Sequence, residues 1–145
     1  MPTYRTATEA ETIALGEHLA RELPARGVVL LIGNLGAGKT TLAKGIAKGR
    51  ATVDPDDVSS PTFTLIHEYG RADSPAAPVY HIDLYRLDEP RQVATLGLDD
   101  LFEKDALVLI EWGERFPQLM PAERTEIRLR MLENDEREIA VTTLL

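Results

Sequence analysis

The sequence predicts an α/β fold: a mixed β-sheet flanked by helices, with a β-hairpin at its C-terminal end. Three observations carry this. Residues 28–32 form an apolar, β-branched-rich run that enters a glycine-rich loop and then a helical pattern with Leu42, Ala43, Ile46 and Ala47 at helical spacing. Residues 107–110 are continuously apolar, as in a central strand buried on both faces. Residues 124–132 alternate, with Ile127, Leu129 and Met131 on one face, and Asn134-Asp135 turns them back into a strand at 139–143.

The elements follow in order. Thr8-Glu9-Ala10-Glu11 has the Thr-x-x-Glu form of a capping box and opens a helix to about Leu23. Ile13, Leu19, Ala20 and Leu23 face inward, and Pro24 and Gly27 end it. The first strand, the glycine-rich loop and the second helix occupy 28–48; Gly45 weakens that helix slightly and Gly49 stops it. The polar stretch 51–60 reads as a loop. Strands are expected at 62–69 and 79–85, joined by a loop at 70–78 that holds two prolines. Residues 88–101 are weakly helical and broken by Gly97.

A length of 145 residues fits a single domain, 1–145, able to bury a real core. Hydrophobic residues at 43% and charged residues at 28% place it among ordinary globular proteins. The absence of cysteine excludes disulfides, thiolate metal sites and cysteine catalysis. The longest apolar runs are five residues, at 28–32 and 106–110, far short of the roughly 20 that span a bilayer. No signal peptide is visible in the first residues, so a cytoplasmic location is expected, without membrane contact. The net charge of −8 repels free nucleic acid, and the densest basic group, Lys39, Lys44, Lys48 and Arg50, lies on the loop helix and its exit.

Gly33-Asn34-Leu35-Gly36-Ala37-Gly38-Lys39-Thr40 fits Gly-x-x-x-x-Gly-Lys-[Ser/Thr], the phosphate-binding loop of nucleotide triphosphatases. Its strand-before and helix-after context strengthens the match, and the fold class becomes a P-loop NTPase-type sheet. Glycines let successive amides turn inward as an anion nest, and the helix N-terminus adds unpaired N–H groups. Asn34, Leu35, Gly36, Ala37 and Gly38, with Lys39, Thr40 and Thr41, would line the nucleotide. Lys39 would reach the β- and γ-phosphates, and the Thr40 hydroxyl would bind Mg²⁺.

An acidic group at the metal is expected at the end of a buried strand, where Glu111 stands. An ordinary polar residue closing the strand is the other reading. Ser59-Ser60-Pro61-Thr62-Phe63 is a turn into a strand whose hydroxyls could meet the γ-phosphate or the attacking water; a plain Pro turn explains it equally. In His81-Ile82-Asp83-Leu84-Tyr85-Arg86, period-2 geometry sets His81, Asp83 and Tyr85 on one face and Ile82 and Leu84 on the other. That face is either catalytic or the polar side of a half-buried strand. A zinc site there would need His18 or His67 to complete it.

Taken together, the phosphate loop, Ser60-Pro61-Thr62-Phe63-Thr64-Leu65, Tyr80-His81-Ile82-Asp83-Leu84-Tyr85-Arg86-Leu87, Leu96-Gly97-Leu98-Asp99-Asp100-Leu101-Phe102 and Ile110-Glu111-Trp112 resemble the TsaE (YjeE) family. The blocks follow the family's order across about residues 8 to 116. The resemblance implies a bacterial ATPase required for threonylcarbamoyl-adenosine in tRNAs reading codons that begin with adenine. It would use ATP, pass through ADP, and need Mg²⁺. It would not transfer the group itself but would drive turnover of a TsaB–TsaD heterodimer, meeting tRNA only through that complex. On the same resemblance Lys39 binds phosphates, Thr40 and Glu111 hold Mg²⁺, and Asp83 orients or deprotonates the attacking water. Thr62 becomes a nucleotide-sensing position. Trp112 falls near the nucleotide or partner face, or packs as a core aromatic. Thr8 and Arg137 fall near the base. Asn34 departs from the family, which more often has an acid there.

Other readings remain open on the sequence. A P-loop small-molecule kinase would need an acceptor pocket and an arginine-rich lid, whereas the stretch after the loop helix is acidic at Asp54, Asp56 and Asp57. A GTPase lacks its Asp-x-x-Gly and Asn-Lys-x-Asp signatures. A nucleotide-gated assembly factor, whose slow hydrolysis only times release from a partner, fits the absence of an arginine finger fixed by motif.

Overall fold

A computed structural model of the chain describes residues 2–50, 66–69 and 78–144. Among these, β1 (Thr3–Thr6), β2 (Gly27–Ile32), β3 (Ile66–Tyr69), β4 (Val79–Asp83), β5 (Leu107–Glu111), β6 (Arg124–Met131) and β7 (Arg137–Leu144) form one sheet in the order β1-β7-β6-β2-β5-β4-β3. The four central strands β4, β5, β2 and β6 run parallel, and β3, β7 and β1 join antiparallel. The expected α/β class and terminal hairpin are therefore both present. Parallel strands end along a common edge, so the exits of β2, β4 and β5 meet there. Register places Glu111 opposite both Leu31 and Asp83.

Strand alternation divides the core into two layers. Val29, Leu31, Leu107 and Leu109 pack under α1 (Glu9–Glu22) and α2 (Lys39–Gly49). Val28, Leu30, Val108 and Ile110 pack under α3 (Pro90–Ala94), α4 (Leu98–Phe102) and Phe116 and Met120, which flank the 3₁₀ turn Pro117–Leu119. The Thr8 cap of α1 forms, with Thr8 Oγ1 accepting from the Glu11 amide at 3.1 Å. The reciprocal half of the expected capping box is shifted by one residue, because Glu11 accepts from the Ala7 amide at 2.8 Å, one residue before the Thr8 cap. Gly97, at φ 73°, separates α3 from α4, the break expected in 88–101. Among the described residues no helix is long and apolar enough to cross a membrane.

Several details differ from the sequence reading. Strand β1 was not foreseen, since four residues carry too little alternation to stand out. Strand β4 is buried on both faces, not half-buried, because β3 and β5 flank it and both helical layers cover it. It ends at Asp83, so Tyr85 leaves the strand face and is exposed. Met131 is also exposed, at the last position of β6. The first part of the strand expected at 62–69, the loop at 51–60 and residues 70–77 lie outside the described residues.

The largest correction concerns α1 and α2. Thr12, Leu15 and Gly16 join Leu19 and Ala20 in the buried stripe, whereas Ile13 and Leu23 are only half-buried. The stripe is rotated because the two helix backbones approach through glycine. A Cβ on Gly16 would lie 2.6 Å from the Leu42 carbonyl oxygen; one on Gly45 would lie 2.9 Å from Gly16 Cα and run into the Ile13 carbonyl. Gly45 is thus the contact that seats the loop helix, not a slight weakness in it. Gly45→Ala is expected to destabilise the protein by about 1–3 kcal/mol or more, despite alanine's better helix propensity, because the helices must separate. Thermal unfolding measures this, and an unchanged or raised Tm would refute the close packing.

Candidate nucleotide and metal site

The glycine-rich loop joins β2 to α2. Gly38 adopts φ 103°, a left-handed conformation suited to glycine, and caps α2 so that the helix opens at Lys39. The first-turn amides of α2 have no carbonyl one turn earlier to bond, which makes the loop end a natural anion site. A cavity of about 430 Å³ opens in front of it. Leu35, Gly36, Gly38, Lys39, Thr40 and Thr41 line one side, and Asp83, Tyr85, Glu111, Trp112 and Arg137 the other. The exits of three parallel strands therefore bring together most of the expected site residues.

Lys39 is 4% exposed. Its ammonium donates to the Gly33 carbonyl at 2.7 Å and lies 3.6 Å from the centre of the Trp112 ring. Burial pulls its pKa below the ordinary lysine value, while Glu111, Glu114 and Asp83 oppose that shift and Arg115 adds to it. Trp112 is half-buried: it lines the cavity and also packs against the second core layer. Its left-handed backbone, φ 68°, is uncommon for a non-glycine residue and turns the chain directly after Glu111.

Glu111 ends β5 on the α2 side of the sheet, 4% exposed. The Thr40 hydroxyl donates to its carboxylate, 3.2 Å from Oε2 and 3.5 Å from Oε1. A hydroxyl and a carboxylate facing one cavity are the hard oxygen donors Mg²⁺ prefers, so the residues present fit that ion. Asp83, opposite Glu111 in register, is 7% exposed, and its Oδ1 accepts the Tyr85 amide at 2.9 Å.

A second cavity of about 370 Å³ adjoins the first through Gly38, Thr41 and Arg137. Thr8, Thr12 and Asp135 also line it, so Thr8 and Arg137 face one space. Arg137 reaches the loop itself, donating to the Gly36 carbonyl at 3.4 Å. Asn34 and Ala37 do not line either cavity. They face a third one, of about 410 Å³, beside Arg128 and Met131 of β6. The Ala37 amide is already bonded to the Asn34 carbonyl at 3.1 Å. Thr62 lies outside the described residues.

Three contributors were missed in the sequence. His81 is fully buried, and its Nε2 lies 2.5 Å from Glu111 Oε2. The alternation that put His81 beside Asp83 carried the signal, but only the β4–β5 register shows that Glu111 shares that face. Arg115 Nη2 donates to the carbonyls of Leu84, Tyr85 and Leu87 at 2.6, 2.8 and 2.7 Å, pinning the turn after Asp83. Nothing local in the sequence announces it. Glu114 places a buried Oε1 without a partner among the described residues. Burial pushes its carboxyl pKa above the ordinary value, and Lys39, Arg115 and Arg128 oppose the shift.

A carboxyl whose folded value is raised favours folding below its unfolded value and loses that contribution as pH rises through the folded one. Glu114→Gln should therefore gain stability relative to the wild type across that rise and hold the gain at neutral pH. Tm measured against pH for both proteins checks this. A difference that shrinks with rising pH would refute the burial assignment.

Comparison with known proteins places the chain clearly. The family model described as threonylcarbamoyl adenosine biosynthesis protein TsaE matches residues 6–139. A Bacillus subtilis protein named tRNA threonylcarbamoyladenosine biosynthesis protein TsaE is 38% identical over 141 residues, 97% of this chain and 85% of the relative. A Nostoc protein of the same name is 46% identical over 115 residues, 77% of this chain and 67% of the relative. The crystal structure of YdiB from Bacillus subtilis superposes with a TM-score of 0.79 at 34% identity, covering 99% of this chain and 86% of that one.

Proposed function

This chain belongs to the TsaE family of threonylcarbamoyl adenosine biosynthesis proteins, and from that premise we propose that it is the ATPase of that pathway, binding ATP with Mg²⁺ and hydrolysing it to turn over a TsaB–TsaD complex. One observation carries the reading. Lys39, Thr40, Glu111 and Asp83 converge on one cavity at the common exit of parallel strands. Each has the chemistry its place in that cavity requires.

In this reading the opening amides of α2 and the Lys39 ammonium hold the β- and γ-phosphates. Lys39 leaves the face of Trp112 or shares its charge with it, and the phosphate charge offsets the burial that disfavours its ammonium form. The Thr40 hydroxyl and the Glu111 carboxylate hold the magnesium ion, which supplies charge neutralisation at the phosphates when bound. Asp83 has one oxygen fixed by the Tyr85 amide and turns the other to the attacking water. Arg115 keeps that turn in place. The base lies toward the second cavity, between Thr8 and Arg137. An acidic chain of net charge −8 leaves tRNA contact to the partners.

The test is ATP turnover by the isolated chain and by the chain mixed with TsaB–TsaD, together with nucleotide-dependent capture of that heterodimer. Slow turnover alone, stimulation by the partners, and capture that changes with nucleotide are expected. Rapid turnover alone that survives Asp83→Ala, with no response to the heterodimer, would overturn the partner-coupled reading.

A further inference from the structure

The pairing of His81 with Glu111 has no part in the reading above, yet it is the most deeply buried polar contact beside the cavity. His81 is 0% exposed, and Glu111 Oε2 is 2.5 Å from its Nε2. Nδ1 is equally buried and has no hydrogen-bond partner among the described residues. A buried imidazole with one nitrogen unsatisfied is a cost, and folds retain such groups where they serve something. Here the backbone that carries the ring is anchored on both sides. The backbone of His81 pairs in register with Leu109 of β5 and His67 of β3, so it cannot slide or turn out of the sheet. Its one satisfied nitrogen points at the carboxylate that faces Thr40.

We propose that His81 is a positioning residue for Glu111: by donating its Nε2–H to Oε2 it fixes the carboxylate's rotation and leaves Oε1 as the oxygen offered to a divalent cation beside Thr40. The bond pattern supports this division. Oε2 takes both the imidazole at 2.5 Å and the nearer Thr40 contact at 3.2 Å, whereas Oε1 has only the 3.5 Å contact. A glutamate has one more rotatable bond than the aspartate usual at such strand ends. The imidazole supplies the restraint that the longer side chain lacks. Hydrogen bonds behind a ligating carboxylate commonly set metal affinity by about 10–100-fold. This proposal rests on the assignment of Glu111 to the cation, and its tests separate the two.

The first test is the Mg²⁺ dependence of ATP-analogue binding, followed through the fluorescence of Trp112, the one tryptophan in the sequence. His81→Leu removes the donor and keeps an apolar filling; His81→Gln restores an N–H donor near the Nε2 position. His81→Leu is expected to keep its nucleotide affinity in EDTA and to need about 10–100-fold more Mg²⁺, with His81→Gln recovering most of the loss. A wild-type Mg²⁺ requirement in His81→Leu, or an equal loss of affinity in EDTA, would overturn the proposal.

The second test needs no His81 variant and no nucleotide. Nitrogen-15 spectra of the imidazoles in the wild type should show one histidine with its proton on Nε2 and a strongly deshielded proton signal that disappears in Glu111→Gln. A proton on Nδ1 of His81 would overturn the proposal. Were wild-type nucleotide binding itself indifferent to Mg²⁺, the assignment of Glu111 to the cation would fail, and the role of His81 toward that cation with it, even with the tautomer as described.

Discussion

Lys39→Met is expected to lower ATP affinity by about 100-fold or more while leaving the free protein at least as stable as the wild type. The two halves of this result have one origin. One hydrogen bond to a charged group is worth roughly 1.5–3 kcal/mol, and Lys39 would face two phosphates, so loss of its ammonium removes a large part of the binding energy. In the free protein that ammonium is buried against Trp112 and the Gly33 carbonyl, and burial disfavours its charged form. A lysine whose folded pKa is lowered holds a penalty against folding that is full below that pKa and is shed as pH rises from it toward the unfolded value. Methionine keeps the aliphatic stem and removes the penalty. Isothermal titration with ATP and thermal unfolding without it measure the two effects. An unchanged ATP affinity would place the triphosphate elsewhere, and a large fall in Tm would show that Lys39 supports the fold instead.

The second large effect is expected of Glu111→Ala. It should reduce hydrolysis by about 100-fold or more and abolish its dependence on Mg²⁺, because several kcal/mol of charge stabilisation depend on the metal being held beside Thr40. Some nucleotide should still bind, since Lys39 and the loop amides are untouched. The substitution also strands His81, which is fully buried and would then have neither nitrogen satisfied. That costs about 1–3 kcal/mol, partly offset by removing a buried carboxylate, so Tm should fall modestly. Turnover measured over a range of Mg²⁺ concentrations decides the matter. Normal activity with a normal metal requirement would make Glu111 an ordinary strand-closing residue.

The readable parts of this chain were those in which local pattern and tertiary role coincide. The apolar run at 28–32, the glycine loop and the periodic helix after it form one local unit, and the structure keeps them as β2, the loop and α2. Glu111 could be placed because it closes an apolar strand and Asp83 because it alternates with His81 on one polar face; the structure ends β4 at Asp83, opposite Glu111, since parallel strands close at the same edge. What stayed hidden depended on register or on distant contacts. Only the alignment of β4 with β5 sets His81 behind Glu111. Arg115 acts across 28 to 31 positions through backbone carbonyls, which carry no sequence signature. Gly45 looked like a weak helix residue because its contact, the Ile13 backbone, belongs to another helix. Asn34 and Ala37 sit in the motif by number, yet the loop turns them toward β6 and away from the main cavity.

The most direct test of the account is a crystal structure with a non-hydrolysable ATP analogue and Mn²⁺ in place of Mg²⁺, the metal located by its anomalous scattering. A triphosphate is expected across the amides that open α2, with the Lys39 ammonium turned onto it and the metal peak between the Thr40 hydroxyl and the Glu111 carboxylate. A triphosphate bound away from that loop, or a metal peak that touches neither Thr40 nor Glu111, would contradict it.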